Sequence, residues 1–140
     1  MKILLAAFAA LVSISAAAVA ADETAIIEAQ NQKFVEVFEA GDAAGVAALY
    51  AEGGVVLPPG GEAVTGTDAV TAFWQGAMDS GVKGLDLTTV DVFAIDKENI
   101  VEVGRAELFD ADGGLIQAGH YIVYWRKEGG DWKLFRDIWN

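Results

Sequence analysis

The sequence predicts an α+β fold: three N-terminal helices packed on a strongly curved, mainly antiparallel sheet. Three observations predict it. Apolar residues recur at helical spacing through Met78, and from Lys83 onward the pattern changes to period two. The connectors between the period-two runs are short and rich in Asp, Gly and Lys, which joins neighbouring strands as antiparallel hairpins. Helices followed by a meander of long strands is the order of a domain that lays its helices on one face of a sheet, with room for a pocket between.

The elements follow in order. Lys2, an apolar run from Ile3 to about Ile14 and the small residues Ala18-Val19-Ala20 have the layout of a secretory signal peptide over residues 1–20, cleaved after Ala20 or Ala21. The run is too interrupted by Ser13 and Ser15 for a stable membrane anchor, and no cysteine follows it to carry a lipid. The expected product is a periplasmic or secreted single domain, residues 21–140. Its first helix carries Ile26, Ile27, Gln30, Phe34, Val37 and Phe38 on one side, with Glu28, Lys33, Glu36 and Glu39 largely elsewhere. Gly41 suits the left-handed residue that closes it, and Asp42 the N-cap of a short second helix with Val46, Leu49 and Tyr50. Gly53 to Leu57 form a strand stopped by Pro58 and Pro59, hence brief or at an edge. Gly66-Thr67-Asp68 opens a third helix, with Thr67 as cap and Val70, Phe73, Trp74, Ala77 and Met78 on its buried side. Four strands follow, at about 84–95, 99–109, 114–126 and 131–139.

Composition narrows the chemistry. A chain of 140 residues buries roughly two-thirds of its unfolded surface, so a core forms without staples. There is no cysteine, which removes disulfides, thiolate metal sites and a thiol nucleophile. The net charge of −12 repels phosphate backbones and anionic membranes, so no nucleic-acid partner is expected. No cofactor or metal is expected either. The single histidine leaves only carboxylates as further ligands, Asp110-Ala-Asp112-Gly-Gly is shorter than a calcium loop, and the glycine pairs lack a phosphate-binding context.

Three stretches carry a resemblance: Phe34 to Asp42, Leu49-Tyr-Ala-Glu52 and Val64 to Trp74. They resemble the cone-shaped fold of nuclear transport factor 2 (NTF2), steroid delta-isomerase and SnoaL-type cyclases. The ending Gly119-His-Tyr-Ile-Val-Tyr-Trp-Arg-Lys127, with Gly130-Asp-Trp-Lys133 and Asp137-Ile-Trp-Asn140, is similar to the DUF4440 (SgcJ/EcaC-like) branch. The resemblance implies a cavity for a small, mainly apolar molecule. It argues against steroid isomerisation. The position of that family's carboxylate base reads Val56-Leu57-Pro58-Pro59, its helical tyrosine matches Phe34, and its acidic donor falls at Tyr121 or Ile122.

The last hairpin yields the candidate site. With Lys127 to Gly130 as its loop, Arg126 pairs with Asp131 and His120 stands opposite Asp137. One face then carries His120, Ile122, Tyr124, Phe135, Asp137 and Trp139, and the resemblance turns the Trp139 face into the cone. His120 and Asp137 are the candidate catalytic pair, with a satisfied cross-strand contact as the structural alternative. Phe34, Leu57, Trp74, Tyr121, Ile122, Tyr124, Phe135 and Trp139 are the expected ligand-binding residues. Arg105 either meets a ligand carboxylate or pairs with Glu107 outside. Trp125 and Trp132 are expected on the outer sheet face, the surface for a homodimer. Two functions stay open: small-molecule binding with acid/base chemistry of isomerase, cyclase or hydratase type, and a non-catalytic periplasmic dimerisation module.

Overall fold

The computed structural model describes the backbone from residue 6 to residue 140 and the side chains from residue 21 onward. The expected leader, residues 1–20, lies outside the residues whose side chains are described. Helix α1 (Ala6–Glu39) is followed by α2 (Ala43–Ala47), β1 (Tyr50–Leu57), β2 (Val64–Thr65) and α3 (Thr67–Asp79). The long strands β3 (Gly84–Asp96), β4 (Asn99–Phe109), β5 (Leu115–Glu128) and β6 (Asp131–Trp139) complete the chain. Among the described residues six strands form one sheet in the order β2-β1-β6-β5-β4-β3, antiparallel except for the β1–β6 pair. Among the described residues no helix is long and apolar enough to cross a membrane.

This is the α+β architecture of the expectation, with two differences. Between α2 and α3, where one short strand is expected, the chain forms two, β1 and β2. Strand β1 is also interior: β6 takes one of its edges and the two-residue β2 the other, and Pro58 falls just beyond it. The second helix is shorter than its apolar spacing suggests. Asp42 caps it by accepting from Gly45 N, but it ends at Ala47, and Tyr50 is the first residue of β1.

The core sits between α1, α3 and the concave sheet face. Ile27, Asn31, Phe34 and Phe38 recur on one stripe of α1 and are all buried. Val70, Trp74 and Met78 do the same on α3, and Val56, Ile100, Val123, Trp125 and Leu134 line the sheet. Each fully buried side chain of this kind stabilises the fold by roughly 1.5–3 kcal/mol relative to exposure.

The last hairpin departs from its expected register in two steps. Gly129 and Gly130, at φ 59° and 90°, form a two-residue loop that pairs Glu128 with Asp131. The loop is shorter than expected by an even number of residues, so this slide alone leaves every side chain on its face. Between Trp125, opposite Leu134, and Tyr124, opposite Arg136, the extra residue Phe135 makes a β-bulge. An odd shift reverses the faces. Tyr121 now pairs with Trp139 and Val123 with Asp137, inside the cone, while His120, Ile122 and Tyr124 turn outward.

Candidate functional site

A cavity of about 260 Å³ opens between α1, α3 and the sheet. Its walls are almost wholly apolar. Phe34, Phe73, Trp74 and Trp139 form the aromatic side, with Trp74 and Trp139 stacked at 5.7 Å and Phe34 edge-on to Trp74 at 5.3 Å. Aliphatic residues including Leu85, Leu87, Val123 and Leu134 line the rest. The polar lining consists of Asn31, Gln117, Tyr121 and Asp137. Small-molecule sites commonly measure roughly 300–1,000 Å³, so this one suits a ligand smaller than drug size.

Asp137 is the carboxylate in that lining. It is buried on β6 because the bulge turns it inward, beside Val56 of β1 and Val123 of β5. Tyr50, at the start of β1, donates its hydroxyl to Asp137 Oδ2 at 2.5 Å. Among the described residues Oδ1 has no hydrogen-bond partner, and it is not among the sealed, unpaired buried atoms, so its lone pairs are left for the cavity that Asp137 lines. Burial raises the carboxyl pKa to about 6; the Tyr50 hydrogen bond opposes the shift and the nearby Glu102 charge adds to it. Burial and the Asp137 charge push the Tyr50 phenol well upward, which keeps it a hydrogen-bond donor. Trp74 Nε1 points toward the Tyr50 hydroxyl and lowers its proton affinity, but among the described residues it has no hydrogen bond of ordinary geometry, and it is closed to solvent.

A second carboxylate lies deeper. Glu102 of β4 is fully buried, and four donors converge on it. Its Oε1 accepts from Asn31 Nδ2 at 2.6 Å, Tyr121 Oη at 2.7 Å and Thr89 Oγ1 at 2.8 Å; its Oε2 accepts from Trp125 Nε1 at 2.9 Å. Burial and the Glu102 charge raise the Tyr121 pKa, so its phenol stays protonated. Gly104, opposite Tyr121 in the β4–β5 pair, makes this network possible. A Cβ at Gly104 would stand 2.0 Å from the Tyr121 ring. Gly104→Ala is therefore expected to displace Tyr121 from Glu102 and to lower stability by roughly 2–4 kcal/mol, from overpacking and a lost bond to a charged group. Denaturant unfolding measures this. Adding Tyr121→Ala should recover part of the loss, whereas additive losses would show that the two positions do not meet.

The expected site residues divide between the faces. Asp137, Phe34, Trp74, Tyr121 and Trp139 line the cavity. His120 does not. Its side chain is exposed, and its backbone pairs with Asn140, donating N–H to Oδ1 at 2.9 Å and accepting from Asn140 N at 3.1 Å. The His120–Asp137 pair is thus corrected by the bulge: Asp137 faces Tyr50 instead. Ile122 and Tyr124 lie on the outer face, Tyr124 donating to Asn99 Oδ1 at 3.0 Å. Phe135 is held between the guanidinium groups of Arg126 and Arg136, each 3.8 Å from its ring centre. Leu57 pairs with Ile138 of the outer face and does not line the cavity. Trp125 is buried inward, against the expectation that it covers the outer face. Arg105 projects outside and pairs with Glu107 at 2.8 Å.

Tyr50, Asn31 and Glu102 were not expected from the sequence. Two of them carried a signal. Asn31 interrupts the stripe Ile27, Phe34 and Phe38, and Glu102 has the same strand parity as Ile100 and Gly104. A polar residue on an apolar face is the informative exception. Among the described residues no three His, Asp or Glu side chains are placed to share a metal ion.

The helices on a concave sheet, with an apolar cone closed around one free carboxylate oxygen, define a cone-fold small-domain class. Residues 31–135 match the model of the SnoaL-like domain, and the chain belongs to that family. Solved structures share the fold. A ketosteroid isomerase-like protein from Erwinia carotovora atroseptica is 22% identical, with 84% of this chain and 94% of that chain covered and a TM-score of 0.67. An NTF2-like protein of unknown function from Shewanella oneidensis is 18% identical, covering 83% and 97% at a TM-score of 0.70. An NTF2-like protein with a cystatin-like fold from Novosphingobium aromaticivorans is 15% identical, covering 99% and 90% at 0.68. At these identities the likeness concerns the fold alone. No curated protein matches the chain at a significant level.

Proposed function

We propose that the protein binds a small, mainly apolar molecule in its cone and exchanges a proton with it through Asp137. The observation that carries this reading is the Asp137 carboxylate, one oxygen held by Tyr50 and the other free, in the lining of an apolar cavity. A carboxyl with a pKa of about 6 is poised to take or give a proton near neutral pH. Tyr50 is its positioning residue. Isomerase, cyclase or hydratase chemistry fits such a group, and the ketosteroid isomerase-like neighbour supports that class by analogy.

The finer DUF4440-type placement, export after cleavage near residue 20, and self-association belong to the same proposal. Support for a homodimer comes from the outer face, where Ile122 and Ile138 stand opposite one another and are both exposed. Native mass spectrometry of protein purified from its own host tests the binding reading. A co-purified small molecule is expected, and Ala106→Trp, which fills the cavity from its wall, should lose it. A bare polypeptide mass in both proteins would count against the reading.

A further inference from the structure

The polar groups of the cone are nearly all acceptors. Asp137 Oδ1 is free, and it can only accept while the carboxyl is ionised. Tyr121 lines the cavity, but its hydroxyl hydrogen is committed to Glu102, so it offers the cavity an oxygen lone pair. Asn31 is oriented by the same carboxylate. Its Nδ2 faces Glu102 at 2.6 Å, Tyr121 at 3.1 Å and Thr89 at 3.2 Å, which leaves Oδ1 as its free atom. The one buried donor without a partner among the described residues, Trp74 Nε1, faces Tyr50 and is closed off from the cavity. Among the described residues only the exposed Gln117 amide is left to donate into this space, and no Lys, Arg or His side chain lines it.

An oxyanion would therefore meet a like charge at Asp137 and a single exposed donor, and the site would disfavour it. A cation meets the reverse. Asp137 supplies the opposite charge, and Phe34, Phe73, Trp74 and Trp139 place in the wall four aromatic systems, whose faces attract positive charge. The net charge of −12 raises the local concentration of cationic solutes around the protein.

Resting on the small-molecule reading above, we infer that the cone selects an apolar skeleton bearing a protonated amine and rejects the same skeleton bearing a carboxylate. Glu102 sets this polarity without touching the ligand, because it consumes the donors of Tyr121 and Asn31. Phe34 and Trp139 then select for an apolar body, and Asp137 for the charged head.

Isothermal titration calorimetry with three matched probes tests the inference at about pH 7.5, above the range in which Asp137 titrates. The probes are cyclohexylmethylamine, cyclohexylmethanol and cyclohexanecarboxylate. The amine is expected to bind at least tenfold more tightly than the carboxylate, with the alcohol between them. Asp137→Asn should collapse the amine preference while leaving the alcohol nearly unchanged. Carboxylate binding equal to or tighter than amine binding would overturn the inference while the small-molecule reading stood, as would an amine preference that persists in Asp137→Asn. Failure of all three probes, the neutral alcohol included, would overturn both.

Discussion

Asp137→Asn is expected to make the protein more stable at neutral pH while removing the proton exchange proposed for it. The raised pKa means that burial favours the neutral carboxyl, so the stability contributed by protonating Asp137 is complete below its ordinary value of 3.8 and is lost as pH rises through about 6. At neutral pH the ionised group costs on the order of 3 kcal/mol, since each tenfold change in proton affinity corresponds to about 1.4 kcal/mol. Asn removes that cost. Its side-chain oxygen can still accept from Tyr50, so the packing around β1 and β6 is retained. Thermal unfolding should show the variant melting several degrees above the parent at about pH 7.5, with the gap closing below about pH 4 as the parent protonates. A variant less stable than the parent at neutral pH would show that Asp137 is an ordinary structural group. A gain in stability with a loss of function is the signature of a residue kept for its chemistry.

Glu102→Ala should act in the opposite direction and more strongly. Removing the carboxylate leaves Tyr121 Oη, Trp125 Nε1, Thr89 Oγ1 and Asn31 Nδ2 buried or part-buried without their common acceptor. The expected loss is roughly 3–5 kcal/mol, typical of breaking a buried charged network from one side. Glu102→Gln should also destabilise, by roughly 1–3 kcal/mol, because its amide nitrogen replaces an acceptor with a donor. Guanidinium unfolding followed by tryptophan fluorescence measures both. If Gln proves neutral, the network does not depend on two acceptor oxygens, and the assigned donation from Trp125 Nε1 to the second oxygen falls with it.

Much of the fold was legible because it rests on local periodicity. The stripe from Ile27 to Phe38 and the period-two runs after Lys83 both correspond to elements of the structure. The positive φ of Gly41, 75°, follows from its place at the end of α1. The site was legible only in part. Asp137, Trp139 and Tyr121 could be named as candidates from the last two strands, but which of them share a face depends on Phe135, one extra residue with no local mark in the sequence. That bulge exchanged Tyr121 and Val123 for His120 and Ile122 inside the cone. Tyr50 was hidden for another reason: its spacing continues a helix, whereas the chain breaks at Ala47 so that β1 can pair with β6.

The sequence by itself determined the α+β class, the order of most elements, the apolar faces and the acidity. These are sums over many residues, and each tolerates a local error. Only the tertiary structure decided that Asp137 meets Tyr50 and that His120 faces outward. It alone showed that Gly104 clears the path from Tyr121 to Glu102. Strand faces alternate with every residue, so a single insertion inverts a site without disturbing the fold that carries it.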